Sequence, residues 1–371
     1  MDENEKAQIW KDYSLEHWND WKWQIKNRIT DTEQLSKIVH LKKEEKEDIE
    51  KCLQKFKMAI TPYYAALIDD SNPDCPIRKQ AIPSAKELII DPCEREDPLC
   101  EEKYSPVPGL VHRYPDRVLL VLTHKCSMYC RHCTRRRLVG CEDYSISDKR
   151  LEAALEYIRK NTVIRDVLLS GGDPLVMPDA RLEGIIKKVR EIPHVEIIRI
   201  GTRTPVVLPM RITDELLNML KKYHPLWINT HFNHPKEITK ESSEACRKIV
   251  DAGIPLGNQS VLLRGVNDDT EILKALFLKL VSIRVRPYYL YQCDVSQGIG
   301  HFRTKVSKGM EMLKSIRGNI TGFAVPEYVI DAPGGGGKTP VNRDYIVDMT
   351  EEGVTLRNFE GKIFYYPNPK E

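Results

Sequence analysis

The chain has 371 residues, of which 41% are hydrophobic and 30% are charged. This length allows a large buried core in one or two domains, and the composition is ordinary for a soluble globular protein. The formal net charge of +3 is too small to indicate either a nucleic acid or a membrane surface as a partner.

The N-terminal part of the chain, up to about residue 60, is predicted to be helical. Trp18, Trp21, Ile25 and Ile29 recur at three- and four-residue steps, which gives one apolar helical face. The first residues lack the basic and then apolar layout of a secretion signal, and no apolar run approaches the roughly 20 residues of a membrane helix. We therefore expect a cytoplasmic protein, in which reducing conditions keep the ten cysteines as thiols.

The middle of the chain changes from a long connection to a regular alternation of strands and helices. Residues 69–108 are rich in proline and acidic side chains, which predicts little regular structure. Six β-then-α units follow and predict a parallel sheet with right-handed crossovers. A doubly wound sheet and a full or partial barrel both fit, and both hold active sites at the carboxyl ends of their strands. The predicted strands are 117–123, 166–170, 196–201, 227–230, 256–263 and 286–292, the clearest helices are 149–159 and 181–190, and further strands are predicted within 344–366.

Three cysteines follow the first of these strands with the spacing C-x3-C-x2-C, namely Cys126, Cys130 and Cys133. A structural zinc ion usually takes four protein ligands, and a ferredoxin cluster takes four thiolates. Three thiolates on a four-iron cluster leave one iron open to a substrate or cofactor. The alternatives are cysteines crowded by chance, or a zinc site completed by His132 or Cys141, and both the spacing and the strand context favour the cluster.

This motif resembles that of the radical S-adenosylmethionine superfamily. The resemblance implies a full or partial (β/α) barrel and an open iron that binds S-adenosylmethionine. It also implies a 5′-deoxyadenosyl radical that forms when a low-potential electron donor reduces the cluster. Gly171, Gly172 and Asp173 close the second strand and resemble the glycine-rich stretch that holds the methionine amino group. Gln259 and His231 are expected to line the adenosyl pocket, although each is equally interpretable as a polar group of the core.

A second unusual segment is residues 331–340, in which Lys338 follows four glycines. A phosphate-binding loop is rejected, because Ala332 replaces its first glycine and Pro340 follows the Gly-Lys-Thr sequence. A lysine flanked by glycines can instead form a Schiff base with an aldehyde such as pyridoxal phosphate. The alternative is a solvated lysine in a surface loop.

Similarity along nearly the whole chain favours the pyridoxal interpretation. The segments 19–21, 58–64, 78–83, 105–117, 126–137, 201–209, 229–235, 258–267 and 331–340 are similar to the lysine 2,3-aminomutase family. The resemblance implies that Lys338 holds pyridoxal 5′-phosphate. It also implies that Arg113 and Arg117 bind the phosphate, a role that suits guanidinium groups.

The resemblance also decides between the two architectures. It implies an α/β fold, a partial (β/α)6-type TIM barrel with an N-terminal helical region and a small C-terminal β-rich segment. We expect a helical region and connection over 1–107, the radical S-adenosylmethionine core over 108–300, and a C-terminal segment with the pyridoxal lysine over 301–371.

The implied reaction moves the α-amino group of free L-lysine to the β-carbon and gives L-β-lysine. The resemblance implies that Arg135 binds the substrate carboxylate. It also implies that Asp294 and Asp331 face the ammonium at the end of the substrate side chain. Two ionised carboxylates offset the desolvation of one cation when they are hydrogen-bonded. The alternatives are an aminomutase for glutamate or for a protein-bound lysine, and, in another class, a non-enzymatic zinc or redox-sensing module.

One departure from the family concerns the zinc site that its longer members carry between subunits. Asp269 stands where that site has a cysteine, and no cysteine follows Cys293. We therefore expect this chain to have no zinc site, and any homo-oligomer to form without one.

Overall fold

A nine-stranded sheet forms the centre of the computed structural model, which describes residues 10, 13–140, 144–342 and 345–369. Its strands follow one another in chain order, so that each pairs with the strands before and after it. They are β1 Leu110–Tyr114, β2 Arg117–Thr123, β3 Asp166–Gly171, β4 Ile197–Gly201, β5 Leu226–Thr230, β6 Leu256–Leu262, β7 Arg286–Gln292, β8 Glu327–Ala332 and β9 Gly337–Pro340. Strands β2 to β8 are parallel, and antiparallel β1 and β9 form the two edges. The result is a partial barrel that is open between its edges.

The alternation of side chains along each strand separates the core from the barrel interior. In β3, Val167 and Leu169 are fully buried in the hydrophobic core. Leu168 and Ser170, which point to the other face, line a cavity inside the barrel. Because successive side chains of a strand point to opposite faces, the same short strand builds both the core and the site.

Helices cover the outside of the barrel, and polar side chains cap the start of several of them. The Ser147 hydroxyl accepts a hydrogen bond from the Arg150 N–H at 3.3 Å at the start of one helix. The Asp269 carboxylate caps another helix by accepting hydrogen bonds from the N–H groups of Glu271 and Ile272. The barrel helices are α7 Asp148–Lys160, α8 Asp179–Arg190, α9 Thr204–Val207, α10 Asp214–Leu220, α11 Lys240–Asp251, α12 Thr270–Ser282 and α13 Val306–Ile316.

Short helices and a separate small sheet complete the described part of the chain. The N-terminal helices are α1 Leu15–Asn19, α2 Trp21–Lys26, α3 Thr32–Ser36, α4 Lys43–Leu53, α5 Pro62–Ala65 and α6 Pro76–Ala81. The C-terminal sheet is antiparallel and consists of β10 Ile346–Met349, β11 Gly353–Arg357 and β12 Ile363–Pro367. No helix in the described residues combines the length and apolarity that crossing a membrane requires.

The predicted α/β fold, a partial barrel with a helical N-terminal region and a C-terminal β segment, is confirmed. Each of the six predicted strands begins and ends within one residue of β2 to β7. The seventh parallel strand, β8, was not predicted, and β8 and β9 extend the barrel sheet to Pro340, beyond residue 300. The N-terminal region forms several short helices, because Asp20 ends α1 and caps α2. The predicted C-terminal strands are present from Ile346, while residue 344 lies outside the described residues.

Candidate active site

A cavity of about 1000 Å³ occupies the barrel interior, and side chains from every parallel strand line it. Its volume is at the upper end of the range for small-molecule sites, which gives room for more than one bound group. Every residue to which the sequence analysis assigned a cluster, cofactor or substrate contact lines this cavity: Arg113, Arg117, Cys126, Cys130, Cys133, Arg135, Gly171, Gly172, Asp173, His231, Gln259, Asp294, Asp331 and Lys338. The fold therefore brings together segments that are more than 200 residues apart in the chain.

The cysteine loop follows β2 and is held from outside the barrel by the N-terminal region. The Arg28 guanidinium donates to the carbonyl of Cys126 at 2.6 Å. The N–H of Arg131 donates to the carbonyl of Gln80 at 3.0 Å. The Arg131 side chain forms a buried ion pair with Glu87, at 2.9 Å from Nε and 2.5 Å from Nη2. These bonds fix the loop on the side that faces away from the cavity.

Two glycines allow the end of β3 to pack directly against the cysteine loop. A Cβ atom at Gly171 would lie 2.5 Å from the carbonyl oxygen of Thr123. A Cβ atom at Gly172 would lie 2.8 Å from the carbonyl carbon of Lys125 and closer still to its oxygen. Real Cβ contacts essentially never fall below 3.0 Å. The absence of a side chain at both positions is thus required by contact with the loop that carries the cysteines.

Asp173 joins the loop after β3 to the loop after β4. Its carboxylate accepts hydrogen bonds from the hydroxyl of Thr202 at 2.7 Å, the N–H of Arg203 at 2.9 Å and the hydroxyl of Thr204 at 3.0 Å. Burial raises the pKa of Asp173, while these donors oppose the rise. Protein donors thus occupy this carboxylate and lock the two loops together.

The three cysteines are only partly exposed, and burial raises the pKa of two of them, which favours the protonated thiol. Burial, followed by the charges of Asp173 and the other two cysteines, raises the pKa of Cys126 well above its usual value. Burial and Cys130 raise the pKa of Cys133 to about 11. A cation bound by all three would reverse this effect by stabilising the thiolates.

An arginine that the sequence analysis did not single out contacts this group of thiols. Nη1 of Arg203 donates to Sγ of Cys130 at 2.7 Å. Its Nη2 donates to Gln80 and to buried Glu237, each at 2.7 Å. Arg203 lies within segment 201–209, whose similarity was noted, but local sequence gives no sign of its contact with a cysteine.

The zinc alternative included Cys141, which lies outside the described residues. Among the residues that the structure describes, no three histidine, cysteine, aspartate or glutamate side chains are grouped so that they could hold a single metal ion.

Lys338 lies on β9 directly opposite Asp331 on β8. Its Nζ is 3.3 Å from Asp331 Oδ1 and lies 5.9 Å and 5.6 Å from the ring centres of Tyr114 and Tyr291. The Lys338 N–H donates to the Tyr114 hydroxyl at 2.8 Å. The side chain is about one third exposed and faces the cavity between two aromatic rings, which differs from a lysine freely solvated in a surface loop.

The glycines before Lys338 form the turn between β8 and β9. Gly334 and Gly335 have φ values of +79° and +82°, which side chains other than glycine rarely adopt. Arg113 donates to the carbonyl of Gly335 and, at 2.9 Å, to that of Gly336. Arg113 therefore supports the turn, a contact that the sequence analysis missed.

Arg117, the second predicted phosphate ligand, lies near Lys338. Its guanidinium packs on the ring of Tyr114 at 3.9 Å and donates to Asp116 at 2.9 Å. The same tyrosine bonds the backbone of Lys338, so Arg117, Tyr114 and Lys338 form one contiguous side of the cavity.

One acid and one histidine that line the cavity have pKa values that burial changes strongly. Burial, followed by repulsion from Asp331, raises the pKa of Asp294 to about 7, while Lys338 opposes the rise. Burial, followed by the charge of Arg203, lowers the pKa of His231 to about 4, so its ring is neutral. Clustered acids of this kind suit a cationic ligand, which would favour their ionised form.

Arg135 is held by Glu101, another residue that no sequence motif indicated. The Nε of Arg135 donates to Oε1 and Oε2 of Glu101 at 2.9 and 3.0 Å, and its Nη2 donates to Oε1 at 2.6 Å. Nη1 lies 3.4 Å from the hydroxyl of Ser170, at the carboxyl end of β3. One edge of the guanidinium is thus occupied, and the other lies beside the cavity-lining Ser170.

Comparisons with known proteins extend over nearly the whole chain. Residues 313–371 match a family model described as Lysine-2,3-aminomutase, and residues 120–276 match that of the Radical SAM superfamily. The chain is 60% identical over 99% of its length to L-lysine 2,3-aminomutase of Clostridium subterminale, of which it covers 88%. It is 58% identical over 98% of its length to the enzyme of the same name from Acetoanaerobium sticklandii, with 88% of that protein covered. It is also 50% identical over 94% of its length to glutamate 2,3-aminomutase of Clostridioides difficile, of which it covers 82%.

Proposed function

Because the chain belongs to the lysine 2,3-aminomutase family within the radical S-adenosylmethionine superfamily, we propose that it converts L-lysine to L-β-lysine. It is accordingly an isomerase, and the alternative of a non-enzymatic zinc or redox-sensing module is set aside. The observation that carries the proposal is a single cavity. The same space is lined by the three cysteines, by Lys338 and by the acids Asp294 and Asp331.

The cysteine loop fits an iron–sulfur cluster with one open iron. Cys126, Cys130 and Cys133 are its three ligands in this proposal, and the charge of the iron offsets the burial and repulsion that raise the pKa values of Cys126 and Cys133. Such a cluster, once reduced, would supply the electron needed for reductive cleavage of S-adenosylmethionine. Gln259 and His231 are the proposed contacts for the adenosyl group, and both line the cavity.

Two glycines are the remaining proposed contacts of S-adenosylmethionine. Gly171 and Gly172 line the cavity where β3 meets the cysteine loop. Asp173 fixes this stretch through its bonds to the next loop, so its contribution in the proposal is to hold the glycine backbone in place. A rigid backbone at this point keeps the cofactor in a defined position relative to the substrate.

The lysine turn fits a planar pyridine cofactor. Lys338 Nζ lies between the rings of Tyr114 and Tyr291, and the glycine turn beside it presents few side chains. Lys338 is the proposed attachment point of pyridoxal phosphate, with Arg113 and Arg117 as phosphate contacts. Pyridoxal phosphate, when bound, would supply a conjugated π-system able to delocalise an unpaired electron.

The charged groups favour a substrate with a carboxylate at one end and an ammonium at the other. Arg135 is the proposed partner of the carboxylate, through the guanidinium edge that Glu101 leaves free. In this structure Asp331 pairs with the ammonium of Lys338 at 3.3 Å. Asp331 and Asp294 are the proposed partners of the side-chain ammonium of lysine, in the same way that Asp331 pairs here with the ammonium of Lys338.

The same acids argue against glutamate as the substrate, although a glutamate 2,3-aminomutase is among the relatives. A glutamate side chain would bring a third carboxylate toward Asp294 and Asp331. Like charges in a partly buried site repel one another, and repulsion from Asp331 contributes, after burial, to the raised pKa of Asp294.

Product analysis separates the three substrate classes. The enzyme, reconstituted anaerobically with iron and sulfide, is incubated with S-adenosylmethionine, pyridoxal phosphate, a reductant and one of three substrates: L-lysine, L-glutamate or a lysine-containing peptide. We expect a β-amino acid from free lysine only. Turnover of glutamate or of the peptide in preference to lysine would contradict the assignment.

A further inference from the structure

Glu101 is a buried carboxylate in the connection before the barrel, and its side chain is only 10% exposed. Glu101 lines the same cavity as Asp294 and Lys338. Its three hydrogen bonds to Arg135 occupy the Nε and Nη2 edge of that guanidinium. A bidentate arrangement of this kind fixes the plane of an arginine far more firmly than a single bond does.

Fixing that plane determines which donors of Arg135 remain for a ligand. Nη1 lies beside Ser170, whose hydroxyl is 3.4 Å away and which lines the cavity. The donors that Glu101 does not use are therefore those on the side of the barrel interior. Without Glu101, the long arginine side chain would sample several rotamers. Ordering it when a ligand binds would then cost conformational entropy and weaken the affinity for the ligand.

The negative charge of Glu101 also affects the pKa of Asp294, which lines the same cavity. Burial and Asp331 are the main causes that raise the pKa of Asp294, and Glu101 adds to them. Burial alone would raise the pKa of Glu101, but the charges of Arg135, Arg137 and Lys338 outweigh it and lower that pKa. One carboxylate thus acts on the groups proposed for both ends of the substrate.

We infer that Glu101 is a positioning residue for Arg135 and a determinant of specificity, whose negative charge favours amino acids with a cationic side chain. This inference rests on the proposed function, because it takes Arg135 as the contact for the α-carboxylate. A purely structural ion pair would hold the loop in place and would affect all amino acids equally. The two roles therefore differ in how they discriminate between substrates.

The test compares two amino acids that differ only at the end of the side chain. L-lysine carries a terminal ammonium, whereas L-norleucine ends in a methyl group and shares the α-carboxylate and the chain. Enzyme loaded with cluster and pyridoxal phosphate, without S-adenosylmethionine, is titrated with each, and binding is read from the change in pyridoxal absorbance. The ratio of the two affinities isolates the contribution of the ammonium, because effects on the common carboxylate cancel.

For Glu101→Gln we expect the preference for lysine over norleucine to fall roughly tenfold, the effect of about one pKa unit of charge interaction. The matched control is Glu102→Gln, since Glu102 is the adjacent residue of the same type with a side chain that is 80% exposed. The control should keep the wild-type preference. An unchanged preference in Glu101→Gln, with lysine still favoured by the wild type, would overturn the inference alone.

A second variant separates position from charge and carries the test if Glu101→Gln does not fold. Glu101→Asp keeps the charge but shortens the side chain by one methylene. It should therefore retain the preference for lysine over norleucine while lowering the affinity for both amino acids. Unchanged affinity for both would overturn the positioning role. A wild type without any preference for lysine would contradict the proposed function as well as this inference.

Discussion

The contact between Gly172 and the cysteine loop predicts that a single methyl group at this position disrupts cluster assembly. In Gly172→Ala the new Cβ would lie 2.8 Å from the Lys125 carbonyl carbon, and the obstacle is backbone, which cannot rotate away. The two loops must separate by about 0.7 Å to restore an ordinary contact of about 3.5 Å. Overpacking of this kind costs about 1–3 kcal/mol. Because Lys125 precedes Cys126, the displacement falls directly on the first cysteine.

The assay measures stability and iron content in the same preparations. We expect Gly172→Ala to lower the free energy of unfolding by about 1–3 kcal/mol in denaturant titrations and to reduce iron per chain after anaerobic reconstitution. Gly184→Ala is the matched control, since Gly184 lies in α8 and an added Cβ there meets nothing within 4 Å. Alanine in a helix should leave iron content unchanged and stabilise the protein slightly. Wild-type stability and iron content in Gly172→Ala would refute the reasoning from this contact.

Three further outcomes test the pyridoxal and substrate assignments. Lys338→Ala should lose the pyridoxal adduct that borohydride traps while it retains iron, and a persistent adduct on another residue would remove Lys338 from its role. Asp294→Asn should weaken lysine binding by about 1.5–3 kcal/mol, as expected for the loss of a charged hydrogen-bond partner, with no change in iron content; equal losses for lysine and norleucine would argue against an ammonium contact. The pKa of Asp294 is raised to about 7, so its carboxyl is neutral below that pH and ionised above it. Apparent affinity for lysine should therefore rise between pH 6 and pH 8 in wild type, and Asp294→Asn should flatten this rise; an unchanged profile in the variant would contradict the assignment.

Local sequence was sufficient to predict six of the seven parallel strands, while the choice of a barrel over a doubly wound sheet came from the family resemblance. The strands β2 to β7 are short apolar runs bounded by turn-forming and helical segments, and this alternation has few structural solutions. Strand β8 was missed because it begins with Glu327 and contains Asp331, which look like surface residues in sequence. In the structure Asp331 lines the cavity, so a polar residue marks the interior of the barrel rather than its outside.

The site could be predicted only where a residue carries a local signature. The cysteine spacing and the glycines before Lys338 are such signatures, and both segments line the cavity. Glu101 and Arg203 carry none, since their importance comes from partners 34 and 73 residues away in the chain. Pairings at that separation depend on the fold and are invisible to periodicity or motif spacing.

The same limit applies to the glycines after β3. From the sequence alone, adjacent glycines suggest that a ligand can approach the backbone closely. Their contact with S-adenosylmethionine stays a prediction. The structure adds a contact between backbones, in which Gly171 and Gly172 meet the loop that carries the cysteines. Only the register between β2 and β3 reveals this contact.

The migration of nitrogen within lysine tests the central claim most directly. Reconstituted enzyme is supplied with S-adenosylmethionine, pyridoxal phosphate, a reductant and L-lysine that is isotopically labelled at the α-nitrogen, and the product is analysed by nuclear magnetic resonance. Our account predicts that the label appears on the β-carbon of β-lysine, with lysine consumed and the side-chain nitrogen unlabelled. Label that stays on the α-carbon while S-adenosylmethionine is cleaved, or that is released as ammonia, would contradict the account.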